Sequence, residues 1–150
     1  MKNICLGTLA LSGKYKPIKK EDLLAVFEKH FREDYLEPIE KIRAEDMSLP
    51  IGYRQTISQP YVVAKMTEVL IKGNVLEKKP LGAVLEIGTG CGYQAAVISR
   101  FCRKVFSIER IKPLAERAEE NLKNAGIKNF QIKWSDGTLG WPAPKKFDAI

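Results

Sequence analysis

Three glycines stand close together in the segment Val84–Tyr93, which reads V-L-E-I-G-T-G-C-G-Y. Gly88, Gly90 and Gly92 follow an apolar run and precede a helical pattern, so the segment predicts a strand, a tight turn and a helix. Glycine adopts positive φ easily and has no Cβ, which lets a cofactor approach the backbone closely. The helix that follows offers free N–H groups in its first turn. The alternative is a strand-to-helix turn that binds no ligand.

An acidic residue stands where a nucleoside cofactor needs one. Glu109 follows Gly88 by 21 residues, at the end of the next predicted strand. A carboxylate there can accept hydrogen bonds from ribose hydroxyls, or it can be a surface acid paired with Arg110 or Lys112. The dinucleotide fingerprint has its third glycine one position later, where this chain has Tyr93. The spacing therefore favours a nucleoside cofactor without a pyrophosphate over NAD.

Two further segments carry polar side chains at the ends of predicted elements. Asp136, in an S-D-G sequence after a predicted strand, could accept from an adenine amino group or belong to an ordinary D-G turn. Leu49–Pro60 reads L-P-I-G-Y-R-Q-T-I-S-Q-P and is predicted to be a loop. It places Gln55, Thr56 and Ser58 just ahead of a helix, where they could cap free N–H groups or take part in catalysis.

These residues need elements to position them, and strands alternate with helices after Leu49. Four apolar runs predict strands: Ala83–Ile87, Val105–Ile108, Phe130–Trp134 and the beginning of a fourth at Phe147–Ile150. Three stretches bounded by Pro or Gly predict helices: Pro60–Asn74, Tyr93–Arg103 and Pro113–Ala125. The first helix is expected to bury Val62, Val63, Met66, Val69 and Leu70, and the second Ala95, Ile98 and Phe101. The alternation predicts an α/β fold with a doubly wound, mostly parallel sheet, which binds ligands beyond the carboxyl ends of its strands.

The chain divides into two regions of different character. Residues 1–48 are predicted to be a helical region with Leu23, Leu24, Phe27 and Phe31 on one face. Residues 49–150 are predicted to be the N-terminal part of one domain. Because the chain stops inside the fourth predicted strand, we expect it to be the front portion of a longer protein.

The composition is that of a globular protein and argues against wholesale disorder, collagen and coiled coil. The 150 residues are 45% apolar and 29% charged, which is ordinary for a globular domain. The net charge of +7 comes from mixed charges, with 14 basic and 11 acidic residues in 1–79 and 11 and 7 in 80–150. We therefore expect a solvated surface and no nucleic-acid partner. No apolar run approaches the ~20 residues of a membrane span.

The cysteines and the single histidine indicate neither a metal site nor a disulfide framework. Cys5, Cys91 and Cys102 form no C-x-x-C pair, and His30 lies outside the motifs. Reduced thiols predict a cytoplasmic protein. The short apolar run near the N-terminus has no A-x-A cleavage site and is not interpreted as a signal peptide. We expect a monomer.

The polar loop and the glycine turn together carry a family resemblance. Leu49–Pro60, then E-I-G-T-G-C-G-Y-Q-A-A, S-I-E-R-I and S-D-G-T-L-G-W-P resemble the protein-L-isoaspartate O-methyltransferase family. The match runs in order over Leu49–Ile150, and Leu23–Met47 resembles the family's N-terminal helical region only loosely. The resemblance implies a Rossmann-like methyltransferase fold and S-adenosyl-L-methionine as cofactor. It also implies methyl transfer to the α-carboxylate of L-isoaspartyl residues in damaged proteins, for protein repair.

The resemblance also implies roles for individual residues. Ser58 matches the family's catalytic serine. Gln55, Thr56 and Ile57 match the family's loop beside substrate and cofactor. Glu109 matches the ribose acid. The other residues implied to bind the cofactor are Glu86, Gly88, Thr89, Gly90, Gly92, Arg110, Asp136 and Gly137.

Three departures from the family pattern accompany the match. Arg54 stands where the family often has glycine, which is expected to alter the loop geometry or the mouth of the pocket. Ser135 replaces a frequent glycine before Asp136, with little effect expected. The family's last strands and its C-terminal substrate-side elements are absent from this sequence.

The implied reaction needs no strong general base, because a carboxylate nucleophile is already ionised at pH 7. Catalysis would then depend on positioning, and the Ser58 hydroxyl is expected to orient the substrate carboxylate. Two other functions stay open at this point. One is methylation of a small molecule or RNA, and the other is a fragment or binding module without activity. An NAD-dependent dehydrogenase is a more distant alternative, since no hydride-transfer acid is evident.

Overall fold

The computed structural model describes residues 47–74, 81–142 and 146–150. The predicted helical face of Leu23, Leu24, Phe27 and Phe31 lies outside the described residues, as does nearly all of the predicted region 1–48. The described strands are β1 (Leu49–Gly52), β2 (Gln55–Ile57), β3 (Leu81–Ile87), β4 (Cys102–Glu109) and β5 (Phe130–Trp134). The described α-helices are α1 (Pro60–Asn74), α2 (Tyr93–Ile98) and α3 (Lys112–Asn124), and a 3-10 turn spans Gly137–Leu139.

β3, β4 and β5 form a parallel sheet in that spatial order. The chain then returns to the opposite edge of β3, where Ala149 forms a parallel bridge with Val84. The Leu85 N–H donates to the Ala149 carbonyl at 3.0 Å. The strand order thus reverses beside β3, as in doubly wound sheets, where ligands bind at the carboxyl ends next to the reversal. The prediction of a doubly wound, parallel sheet is confirmed, and the fourth strand is represented by this single bridge.

The helices cover one face of the sheet and bury its main core. Val84 and Val105 on the strands pack with Val97 on α2 and with Leu114 and Leu122 on α3. The opposite face carries a smaller cluster of Leu85, Phe106 and Ile108, against which Trp141 and Phe147 pack. Alternate residues of a strand point to opposite faces, so Glu86, Ser107 and Glu109 lie on the helix-covered face.

The prediction of a loop over Leu49–Pro60 is wrong, because β1 and β2 form an antiparallel hairpin there. Leu49, Ile51 and Ile57 are buried. They give the hairpin an apolar side that packs into the main core. Pro50 and Gly52 stand between the buried residues on the exposed side. These two residues conceal the alternation in the sequence, since both are uncommon in strands.

The predicted apolar face of α1 is also corrected, although Pro60 and Asn74 bound the helix as expected. Met66 and Val69 are exposed. The buried side of the helix consists of Val63, Ala64, Thr67, Glu68 and Ile71. Two polar residues are tolerated there because their polar atoms have partners. The Thr67 hydroxyl donates to the Val63 carbonyl at 2.8 Å, and Glu68 pairs with Lys65 at 2.9 Å.

α2 ends at Ile98, five residues before its predicted end at Arg103, and β4 begins at Cys102. Consequently Phe101 is half-buried in a turn and not on the helix. The Ser99 hydroxyl donates to the Ala96 carbonyl at 2.6 Å. The Asn129 amide donates to the carbonyls of Ser99 and Cys102 at 2.7 and 3.2 Å. These side chains donate to backbone carbonyls at the helix end and in the turn, which have no partner within the helix. The helix can therefore end before Arg103.

The described residues contain neither a membrane-spanning helix nor a group of metal ligands. None of their helices is long and apolar enough to cross a membrane. Within the same ranges, no three His, Cys, Asp or Glu side chains form a group that could hold a metal ion.

Candidate functional site

The hairpin and the glycine turn enclose a small cavity of about 70 Å³ at the carboxyl end of β3. Thr56, Ile57 and Ser58 line one wall, and Gly88–Cys91 lines the other. The remaining lining residues are Ile51, Val63, Tyr93 and Gln94. Two segments that the sequence keeps about 30 residues apart are therefore neighbours. The volume is below the ~300 Å³ at which ligand pockets usually begin, so the cavity can enclose only part of a cofactor-sized ligand.

The glycine turn depends on its lack of side chains. Gly88, Gly90 and Gly92 have φ values of +91°, +57° and +92°, which other residues rarely adopt. A Cβ on Gly92 would lie 3.2 Å from the Ala118 carbonyl oxygen and 3.3 Å from Leu122 Cγ, so this glycine lets α3 approach closely. A Cβ on Gly88 would meet nothing within 4 Å. The outer surface of the turn at Gly88 is therefore open to a ligand.

The Glu109 carboxylate fixes the glycine turn by accepting hydrogen bonds from the backbone. Its Oε2 accepts from the Gly90 N–H at 2.8 Å, and its Oε1 accepts from the Ile111 N–H at 2.9 Å. The side chain is buried, so neither contact is replaced by bulk water. The carboxylate thus ties the turn after β3 to the start of α3. Each carboxylate oxygen has a second lone-pair direction, so these contacts leave room for a further donor.

Helix α3 is bonded to both walls of the cavity. The Arg117 guanidinium donates to the Ile51 carbonyl at 3.2 Å on the hairpin side. The Asn121 amide donates to the Cys91 carbonyl at 2.9 Å on the side of the glycine turn. On the hairpin, Ile51 in turn reaches the glycine turn, since its Cδ1 would lie 3.3 Å from a Cβ on Gly90. Contact with the hairpin is thus a second reason for a glycine at this position.

A chain of buried hydroxyls leads from the cavity into the sheet. The Thr89 and Ser107 hydroxyl oxygens are 2.5 Å apart. The Ser107 hydroxyl in turn donates to Glu86 Oε2. Glu86 Oε1 is buried without a hydrogen-bond partner among the described residues. Burial raises the pKa of Glu86 to about 7, while the Ser107 hydrogen bond lowers it and the nearby charge of Glu109 raises it.

The D-G segment after β5 forms a local cap next to the turn. Asp136 Oδ1 accepts from the Thr138 N–H at 2.9 Å and from its hydroxyl at 2.8 Å. These two bonds, with a smaller effect of the Arg110 charge, lower the pKa of the Asp136 carboxyl. A Cβ on Gly137 would lie only 2.5 Å from Ile87 Cγ2, at the end of β3. Glycine is therefore needed here for the D-G turn to approach the strand end.

The tip of the β1–β2 hairpin carries an unusual turn. Tyr53 and Arg54, which connect β1 to β2, have φ values of +53° and +57°. Two-residue hairpin turns with positive φ at both positions strongly prefer Asn and Gly. The Gln55 amide donates to the Arg54 carbonyl at 3.0 Å and to the Tyr53 carbonyl at 3.4 Å, which helps to hold this conformation.

The chain resembles proteins of known family in sequence and in structure. The family profile described as protein-L-isoaspartate(D-aspartate) O-methyltransferase matches residues 9–150. The chain belongs to this family. A relative from Methylobacillus flagellatus, named protein-L-isoaspartate O-methyltransferase, is 48% identical over 136 residues, which are 90% of this chain and 59% of the relative. A relative of the same name from Burkholderia pseudomallei is 56% identical over 106 residues, or 71% of this chain and 31% of the relative.

Solved structures agree with this assignment. A protein-L-isoaspartate O-methyltransferase superposes with a TM-score of 0.68 at 31% identity, covering 84% of this chain and 41% of that one. A Plasmodium falciparum structure, described as a protein-L-isoaspartate O-methyltransferase in complex with S-adenosyl-L-homocysteine, has a TM-score of 0.56 at 24% identity. It covers 79% of this chain and 56% of its own, and at this identity it supports the fold alone. The Rossmann-like methyltransferase fold is confirmed, and the chain spans only part of each relative.

The isoaspartate methyltransferase fold brings some of the predicted site residues together and leaves others apart. Thr56, Ile57, Ser58, Gly88, Thr89 and Gly90 line one cavity. Gln55 does not line it, because its amide turns back to the hairpin turn. The remaining predicted residues do not line it: Glu86, Gly92, Glu109, Arg110, Asp136 and Gly137.

Two residues near the cavity were not found from the sequence. Gln94 lines the cavity, and its amide nitrogen donates to the Thr67 hydroxyl at 3.1 Å. Its Oε1 is buried without a partner among the described residues. Ser107 is hidden in an apolar strand sequence, V-F-S-I-E. A polar residue just after the glycine turn, and a lone serine in a buried strand, are the signals that could have identified them.

Proposed function

We propose that this chain is part of an enzyme that transfers a methyl group from S-adenosyl-L-methionine to the α-carboxylate of L-isoaspartyl residues in damaged proteins. The observation that carries the proposal is the single cavity lined by Ser58 and by the glycine turn of Gly88–Gly90. It brings a hydroxyl on an exposed loop next to a turn that is open to a ligand. Family membership supports the substrate class.

The residues around the cavity fit the cofactor that the family implies. The open surface at Gly88 accommodates a ligand against the backbone. Gln94 Oε1 is a buried acceptor at the cavity wall without a partner among the described residues, and it suits an ammonium or hydroxyl group. We assign the ribose to Glu109 and the adenine side to Asp136 and Gly137. When bound, S-adenosyl-L-methionine supplies a methyl group activated by a positively charged sulfur.

The protein's own part in the reaction is positioning. The substrate carboxylate is ionised at neutral pH, so no side chain has to remove a proton. We assign the Ser58 hydroxyl the role of donating a hydrogen bond to that carboxylate and aligning it for attack. Ile51 and Ile57 are buried beside the loop and keep water from that side of the cavity. Orientation of this kind can supply up to ~7–11 kcal/mol of a reaction barrier.

Replacement of the loop hydroxyl tests this assignment. We expect Ser58→Ala to lower kcat for an isoaspartyl peptide about 10²-fold, with affinity for S-adenosyl-L-homocysteine nearly unchanged. Ser48→Ala is a matched control, because Ser48 is an exposed serine just before β1 that does not line the cavity. Methyl incorporation is measured with an isoaspartyl peptide and with the normal aspartyl peptide of the same sequence. Equal methylation of both peptides would contradict the proposed substrate.

The same protein separates the alternatives. A thermal-shift assay with S-adenosyl-L-homocysteine reports cofactor binding without requiring turnover. Stabilisation without methyl transfer to any substrate favours a binding module or an inactive fragment. Transfer to RNA or to a small molecule, without transfer to isoaspartyl peptides, favours another methyltransferase activity. Lost cofactor affinity in Ser58→Ala would indicate a structural role for this serine.

The finer expectations on cellular setting belong to the proposal as well. We assign the protein to the cytoplasm as a monomer. Cys91 and Cys102 are both free thiols, which suits a reducing compartment. Burial raises the pKa of Cys91 to about 11 and that of Cys102 to about 12, so both thiols are protonated at neutral pH. Such thiols are poor nucleophiles, and neither is assigned a catalytic role.

A further inference from the structure

The hydroxyl chain behind the glycine turn joins a buried carboxylate to the cavity wall. Glu86 and Ser107 are direct neighbours across β3 and β4, and Thr89 lies just past the end of β3. All three side chains are buried, with exposed fractions of 9%, 1% and 4%. Only Thr89 among them lines the cavity. The other two do not line the cavity, and their hydrogen-bonded connection to a ligand there runs through Thr89.

A hydroxyl has one proton to donate, which fixes the direction of the whole chain. When Glu86 is ionised it can only accept, so Ser107 donates to Glu86 and Thr89 donates to Ser107. The Thr89 oxygen then offers lone pairs, and no proton, to the cavity. When Glu86 is protonated it can donate to Ser107, and Ser107 can donate to Thr89. The Thr89 proton is then available to a ligand.

We propose that Glu86, Ser107 and Thr89 form a proton-linked relay in which the protonation of Glu86 decides whether Thr89 presents a donor or an acceptor to the cavity. Ser107 is a positioning residue in this relay, and a cationic ligand in the cavity favours the ionised form. The inference deepens the proposed function, on which it rests for the identity of the ligand.

The charges around Glu86 allow both protonation states near neutral pH. Burial is the main cause of the raised pKa of about 7, and Glu109, on β4, raises it further. The Cys91 thiol in the glycine turn is close enough to feel the Glu86 charge, and Arg117 on α3 acts on that thiol in the opposite direction. On α1, the buried Glu68 is paired with Lys65.

The free protein provides the first test. Carboxyl carbons of ¹³C-labelled glutamate are followed by NMR from pH 4 to pH 9, with Glu86→Gln identifying the Glu86 signal. We expect Glu86 to titrate near pH 7, because of its burial. In Ser107→Ala the midpoint should rise by about one pH unit or more, since the ionised form loses its hydrogen bond. Ser99→Ala is the matched control, because Ser99 is also buried but bonds the Ala96 carbonyl.

The second test couples the relay to a ligand. The probe is S-adenosyl-L-methionine, which has a positively charged sulfur, and its affinity is measured by calorimetry at pH 6, 7 and 8. If only the ionised form of Glu86 binds, a midpoint at pH 7 makes the affinity about tenfold weaker at pH 6 than at pH 8. The amino group of the probe titrates in this range as well. The effect of Glu86 is therefore the difference between the pH dependence of affinity in wild type and that in Glu86→Gln.

The outcomes separate the relay from the cofactor assignment. The relay is supported if Glu86→Gln loses the tenfold difference in affinity between pH 6 and pH 8. It is also supported if Ser107→Ala shifts this pH dependence of affinity to higher pH. A Glu86 midpoint below pH 5.5, or the same pH profile in wild type and Glu86→Gln, overturns it. Glu86 titration near pH 7 that shifts in Ser107→Ala, with no binding of the probe at any pH, supports the proton linkage and refutes the proposed cofactor.

Discussion

The turn at the tip of the β1–β2 hairpin makes a quantitative prediction about Arg54. This residue has a φ of +57°, a left-handed conformation that costs a residue with a Cβ about 1–2 kcal/mol. Glycine removes that cost. It also loses more backbone entropy on folding, which reduces the gain in stability by about 0.5–1 kcal/mol. The Arg54 carbonyl keeps its hydrogen bond from the Gln55 amide in either case. We therefore expect Arg54→Gly to raise the free energy of unfolding by about 0.5–1 kcal/mol.

Thermal denaturation followed by circular dichroism measures this effect. For a chain of this length the expected gain raises Tm by about 1–4 °C. Arg54→Ala is the matched control, because it removes the guanidinium but keeps the Cβ that causes the strain. Its Tm should equal that of the wild type. A gain in Arg54→Ala as large as in Arg54→Gly would mean that charge, and not backbone strain, destabilises the turn, and a fall in Tm with glycine would refute the reasoning outright.

Two carboxylates in the sheet make further predictions. Glu109→Gln leaves one of two backbone N–H groups without its acceptor, which should lower the free energy of unfolding by about 1–3 kcal/mol and weaken binding of S-adenosyl-L-homocysteine. An unchanged Tm would show that the glycine turn does not depend on this side chain. Because folding raises the pKa of Glu86 from 4.5 to about 7, the folded state binds more protons between these pH values, and stability should fall as pH rises through this window. Glu86→Gln should abolish this fall, of about 2 kcal/mol, in urea titrations at pH 5 and pH 7.5, whereas an equal fall in both proteins would place the titrating group elsewhere.

Much of the fold was predictable because each core strand is a short apolar run followed by a turn signal. The glycine turn, Glu109 and the D-G turn were placed at the carboxyl ends of successive strands, and parallel strands bring those ends together. The hairpin was missed because Pro50 and Gly52 obscure its alternation. The apolar face of α1 was misassigned because Thr67 and Glu68 are buried on it, with partners that the sequence does not reveal.

The site was predictable in its members but not in its connections. Motif matching selected Ser58 and the glycine turn, and the structure brings these to one cavity. The contacts of Glu109 with two backbone N–H groups depend on how the turn bends back toward β4, which residue spacing does not specify. Ser107 stands in the apolar sequence of β4, which gives no sign of a polar partner. Its partner Glu86 becomes its neighbour only through the pairing of β3 with β4.

Helix α3 lies outside the cavity but is attached to both of its sides, through Arg117 to the hairpin and through Asn121 to the glycine turn. A rigid shift of this helix would carry the two sides in the same direction and leave the gap between them nearly constant. The gap can change only when one of the two attachments yields. The hairpin is held in addition by the burial of Leu49, Ile51 and Ile57 in the main core. The spacing between the hairpin and the glycine turn should therefore stay nearly constant as long as both attachments hold.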